Sequence, residues 1–242
     1  MKPANKLGQS VPKNDPRAEA APLPATPAPS PAMALWPLWG IIGVCCLIEL
    51  VLQGADHGMI GAARWRPLSY QSAGFWSGLL RDWQPNYAAQ PVLMFLTYGF
   101  LHAGFGHLVG NMLGLFVLGQ PVVARVGARG FGLIYLVSMV AGGLAFGLLS
   151  TSAAPMVGAS GAIFGLAGAQ VVWDWQSHRT SGLLRSLRRP LGAALGLAGL
   201  NLVIWASNGG QLAWETHLGG FAAGALMAGL LYRDPRLANT RS

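Results

Sequence analysis

Residues 158–176, GASGAIFGLAGAQVVWDWQ, open on a serine between small residues and continue as an apolar run with Asp174 near its far end. The run approaches the roughly 20 apolar residues needed to cross a bilayer as a helix. Ser160 stands at its start, just after the turn residue Pro155. Gly161, Gly165 and Gly168 give the run a stripe of small residues along which another membrane helix can come close. A strongly polar side chain in a spanning helix is costly unless it faces protein or a wet cavity. Ser160 therefore calls for polar partners elsewhere in the chain.

Two further apolar runs begin the same way. His107 and Asn111, in HLVGNM, lie near the start of a candidate span at 104–124, and His217, in THLGGFAAG, lies near the start of one at 214–232. The remaining candidate spans are 35–54, 129–149 and 190–207, which with 160–176 makes a bundle of six. A long connection, 55–103, joins the first two. Its Trp65, Phe75, Trp76, Trp83 and Tyr87, set among Arg and Pro, suit a segment lying in the membrane interface. The apolar run from Pro91 is assigned to this region, with the second span starting after His102.

Composition agrees with a membrane chain. Mean hydropathy is +0.43, and only 10% of the residues are charged, against about a quarter in soluble domains. The expected fold is all-α, a polytopic membrane protein with one domain over 33–233. The Pro/Ala-rich stretch 1–32 has no apolar periodicity and reads as a disordered cytoplasmic tail, and 234–242 as a short C-terminal tail. The net charge of +8 is carried in short loops, where it is a topology signal rather than a sign of nucleic-acid binding. Cys45 and Cys46 are adjacent in the first span and suit packing, with no disulfide or metal spacing. No metal and no organic cofactor is expected. The expected surroundings are the lipid bilayer.

The positive-inside rule orients the bundle. With a cytoplasmic N-terminus, only Arg64, Arg66 and Arg81 of the 16 Lys and Arg fall on the outer side. Both termini are then cytoplasmic, and spans two, four and six all run inward. His107, Asn111, Ser160 and His217, far apart in sequence, come to one depth near the outer face.

Residues of these types at one depth suit acyl transfer. A serine hydroxyl is a weak nucleophile until a base takes its proton, and His217 is the candidate base. Gly220 and Gly224 follow it at helical spacing and can pack against the glycine stripe beside Ser160. No carboxylate suits a third role: Asp174 lies about 21 Å further along its helix, and Glu215 lies on another helical face from His217. A Ser–His dyad results, with Phe164, on the face of Ser160, packing against the imidazole. His107 and Asn111, at i and i+4, share a face and could donate to an oxyanion together with the Ser160 N–H. His102, just outside, could help keep the site wet. Taken singly, GASG is a packing device and a membrane histidine an interhelical hydrogen-bonder; the combination at one depth carries the reading.

HAGFGHLVGNM, GASGAIFG and THLGGFAAG resemble, in order and spacing, the three signature segments of the rhomboid intramembrane serine proteases, over roughly 35–232. The resemblance implies a six-helix bundle that cleaves transmembrane protein substrates near the outer face and prefers small side chains before the cut. It implies Ser160 as nucleophile, His217 as base, and His107 and Asn111 in the oxyanion hole; Gly158, Gly161, Gly220 and Gly224 beside them read as supporting residues. Two departures stand out. Where many members carry a Trp-Arg pair shortly before the second helix, this chain has Leu93-Met94; where many carry a Glu before an Arg at that helix's inner end, it has Val123 before Ala124-Arg125. A non-proteolytic rhomboid-like client-binding protein would be expected to lack the serine or the base. A transporter would favour midplane binding groups and repeated halves, which this sequence does not have. His57 and His178 read as ordinary loop histidines, and Trp173 and Trp175 as part of a cytoplasmic aromatic belt. A bacterial cytoplasmic membrane is the expected location.

Overall fold

The computed structural model describes residues 35–178 and 212–231. The expected tails 1–32 and 234–242 and the expected span 190–207 lie outside the described residues. Within them the chain is helical: α1 (Trp36–Asp56), α2 (Trp65–Ala73), α3 (Gln90–Thr97), α4 (Phe105–Leu149), α5 (Ser160–His178) and α6 (Trp214–Leu231). Pro occupies the first turns of α1 and α3, where its missing N–H costs nothing and its fixed φ suits a helix start.

Spans two and three emerge as the single element α4, 45 residues long. Straight, it would reach about 68 Å at 1.5 Å per residue, more than twice a hydrocarbon core of about 30 Å. Gly127 breaks it, with φ 72 and ψ 176 inside the helix. That left-handed φ is open to glycine without steric cost. The chain folds back there: a methyl group placed on Gly119 would meet Phe131 at 3.2 Å, across the turn.

α1 and α4 are long and apolar enough to cross a membrane. α5 and α6, expected as full spans, are 19 and 18 residues long. Apart from Ser160, the polar residues of α5 lie in its second half, from Gln170 on; those of α6, Glu215, Thr216 and His217, lie at its start, where they are buried. Every residue from Gly161 to Ala169 is buried, so the first half of α5 meets protein on all sides rather than lipid. It packs against α6 and α4, while α1 packs on the far side of α4.

Local contacts fix the directions. Gly142 faces Gly161 and Thr216, whereas the Gln170 amide donates to the Leu118 carbonyl at 2.9 Å. The starts of α4, α5 and α6 therefore gather at one end, and the Gly127 turn lies at the other. The connection before α4 is tied into that first end. Phe75 and Met156 exchange backbone hydrogen bonds of 2.9 Å in each direction. The Phe75 ring is fully buried and packs edge-on against Phe95, Tyr98 and Phe146.

One reading is corrected, near the end of α5. Trp173 is not an interfacial belt residue: it is buried, its indole N–H donates to the Ala228 carbonyl at 3.0 Å, and the Arg125 guanidinium lies 5.2 Å above its ring. The hydrogen bond to Ala228 ties the Trp173 indole to α6. Trp175 alone of the two is exposed. Cys45 is buried, with its thiol 3.9 Å from the Gly99 carbonyl, as a packing residue should be.

Candidate active site

α5 begins at Ser160 itself. The Ala159 carbonyl already accepts the Ile163 N–H at 3.1 Å. The N–H groups of Ser160, Gly161 and Ala162 thus precede the first helical acceptors and sit at the positive end of the helix. Gly158, with φ 123, makes the turn into that helix, and its N–H donates to the Tyr98 carbonyl at 3.0 Å.

His217 Nε2 lies 2.8 Å from Ser160 Oγ. The contact depends on backbones that nearly touch. A methyl group on Gly220 would strike the Gly161 carbonyl, and one on Gly224 the Gly165 carbonyl. The His217 ring is buried and stacks on Phe164, with centroids 4.1 Å apart and planes 6° from parallel. For Nε2 to accept the serine proton, neutral His217 must carry its own proton on Nδ1.

On the other side of Gly158 stand His107 and Asn111. A methyl group at Gly158 would lie 2.9 Å from His107 Nε2 and 3.6 Å from Asn111 Nδ2. Glycine is therefore required there twice over, for its φ and for the approach of these side chains. The Ala103 N–H donates to His107 Nδ1 at 3.1 Å. Nδ1 is then the acceptor, and the proton of a neutral ring sits on Nε2, the atom facing Gly158. Asn111 uses one amide hydrogen on the His107 carbonyl at 3.0 Å and keeps a second. Two N–H donors thus stand beside Gly158, two residues before α5 starts at Ser160, an arrangement able to hold a developing oxyanion.

His102, read as lying just outside the second span, precedes the start of α4. It is fully buried, with its ring 5.3 Å from that of His107 and nearly edge-on. Burial first, and then the neighbouring His107, push its pKa down to about 3.

Sequence reading missed the cluster beneath it. Glu49 of α1, 1% exposed, takes both Nη atoms of Arg66, at 2.8 and 3.0 Å. Arg66 Nε also donates to Asp56 at 2.6 Å, and Gln53 to Glu49 at 2.8 Å. Arg66 Nη1 and the Tyr70 hydroxyl both donate to the His102 carbonyl, at 3.0 and 2.7 Å. Burial raises the Tyr70 pKa, which keeps the phenol a donor. A signal existed, because a lone carboxylate inside an apolar run must find a partner. Trp65-Arg66 is a Trp-Arg pair, placed far earlier in the connection than Leu93-Met94.

A family model described as the Rhomboid domain matches residues 89–234, more than half of the chain. Similar curated proteins carry related names. Rhomboid-like protein 11, chloroplastic, of Arabidopsis thaliana is 33% identical over 148 residues, 58% of this chain and 53% of that protein. Rhomboid-related protein 3 of Homo sapiens is 36% identical over 100 residues, 40% of this chain and 24% of that protein. RHOMBOID-like protein 6, mitochondrial, of Arabidopsis thaliana is 31% identical over 158 residues, 64% of this chain and 48% of that protein. The chain thus spans about half or less of the length of these relatives.

Proposed function

The chain belongs to the rhomboid family, and from that premise we propose that it is a serine endopeptidase working inside the membrane. The observation that carries this reading is the 2.8 Å approach of His217 Nε2 to Ser160 Oγ. In the proposed reaction a locally unwound transmembrane segment presents a carbonyl to Ser160. Oγ attacks as His217 takes its proton, and the oxyanion is held by His107 Nε2–H, Asn111 Nδ2–H and the Ser160 N–H. His217 then protonates the leaving amine as the C–N bond breaks. Water, activated by the same imidazole, hydrolyses the acyl-enzyme. Phe164 keeps the imidazole plane fixed through the cycle.

The proposed substrates are transmembrane proteins with small side chains before the cut. The proposed orientation puts both termini in the cytoplasm and the site toward the outer face, in a bacterial cytoplasmic membrane. The charge distribution supports the orientation.

The test is cleavage of a single-span reporter substrate in proteoliposomes by wild type, Ser160→Ala and His217→Ala. Cleavage by wild type that both substitutions abolish, with folding intact, is the expected result. Cleavage that survives Ser160→Ala sinks the assignment. Wild type inert toward several substrates moves the reading to a client-binding protein.

A further inference from the structure

We infer that Arg66 and Tyr70, anchored by Glu49, are positioning residues that set the tautomer and aim of His107. The inference rests on the reading of His107 as an oxyanion donor, and it follows from one peptide unit. The carbonyl of His102 and the N–H of Ala103 are the two ends of the same planar amide. At the oxygen end that amide receives Arg66 Nη1 at 3.0 Å and the Tyr70 hydroxyl at 2.7 Å. At the nitrogen end it donates to His107 Nδ1 at 3.1 Å. Two donors on the oxygen, one of them charged, polarise the amide and make its N–H a stronger donor. They also hold the plane, so that the N–H cannot swing away from the imidazole.

The consequence falls on the other ring nitrogen. An Nδ1 fixed as acceptor leaves the ring proton on Nε2, beside Gly158, where an oxyanion donor has to be. If the amide turned, Nδ1 could carry the proton, and Nε2 would present a lone pair to the developing negative charge.

Arg66 is suited to this task because its fork is itself fixed. Nη2 and Nη1 both bind the Glu49 carboxylate, and Nε binds Asp56. A rigid helix-borne carboxylate in α1 is thus connected through the guanidinium and one amide to the first turn of α4. Lys at this position would keep a charge but could not span Glu49, Asp56 and the His102 carbonyl at once.

The variants that test this are Tyr70→Phe, which removes one donor and leaves the ion pair, and Arg66→Lys, which keeps the charge beside Glu49. Retained folding is checked by thermal unfolding in detergent. Two readouts are used: steady-state cleavage of the reporter substrate, and the ring ¹⁵N shifts of His107 in labelled protein. The expected result is a kcat lowered about 10- to 100-fold, the range of outer-shell losses around ligating histidines, with KM little changed. Alongside it, the His107 Nδ1 and Nε2 shifts should move toward the opposite or a mixed tautomer. Folded variants with wild-type His107 shifts overturn the inference, and so does a loss confined to KM. The ¹⁵N readout needs no turnover. A wild type without proteolytic activity whose His107 shifts still respond to Tyr70→Phe would therefore overturn the protease reading and leave the positioning role standing.

Discussion

At the scale of single residues, the proposed oxyanion donors are the most exposed to test. His107→Ala and Asn111→Ala should each lower kcat by about 10²–10³, the usual cost of one such donor. On the proposed mechanism KM should hold, because these groups would face charge that develops only in the transition state; steady-state cleavage in proteoliposomes checks both values. The sequence made Ser160, His217, His107 and Asn111 legible as a set, since polar residues at the starts of three spans running in the same direction must share a depth. It also made Phe164 legible, through its i+4 spacing from Ser160. It could not reveal Gly158 as the point around which the donors close, because that depends on a φ of 123 and on two side chains from α4. Glu49 and Arg66 escaped for a related reason: they pair 17 positions apart, from α1 to α2, and no local period announces such a contact.

At the scale of elements, the contact between α5 and α6 has almost no slack. Gly224→Ala would put a methyl group against the Gly165 carbonyl, a backbone atom that cannot rotate away. A loss of about 1–3 kcal/mol is expected for overpacking of this kind, read as a lower thermal midpoint in detergent, with cleavage falling as Ser160 and His217 are forced apart. Gly229→Ala, in the same helix but in open space, should be neutral or slightly stabilising. The glycine stripes were readable from spacing alone. The reversal within α4 was readable only as a short inner loop near Arg125, since the sequence does not say that a single left-handed residue, Gly127, makes the break. Trp173 was misread because composition at a span's end suggests an interface, whereas the ring is buried and its N–H is taken by the Ala228 carbonyl of α6.

At the scale of the whole molecule, one buried group connects folding to acidity. The folded pKa of His102 lies near 3, against an ordinary value of 6.5. The unfolded chain therefore binds a proton that the folded chain refuses throughout that interval. The stability contributed by the neutral ring is fully present above about pH 6.5 and is lost progressively as pH falls toward about 3. Thermal midpoints of wild type should drop across this window, and His102→Gln should flatten part of the slope. The all-helical membrane fold was plain from hydropathy, because lipid forces every backbone group to be satisfied within its own segment. The seam between α5 and α6 has one more consequence, which concerns traffic. A helix with its side chains is about 10–12 Å across, and two backbones whose glycines leave no space for a methyl group offer such a visitor no doorway. His217 is in that respect part of a back wall. On the proposed function, a substrate segment reaching Ser160 from the lipid would have to enter by some route other than this seam.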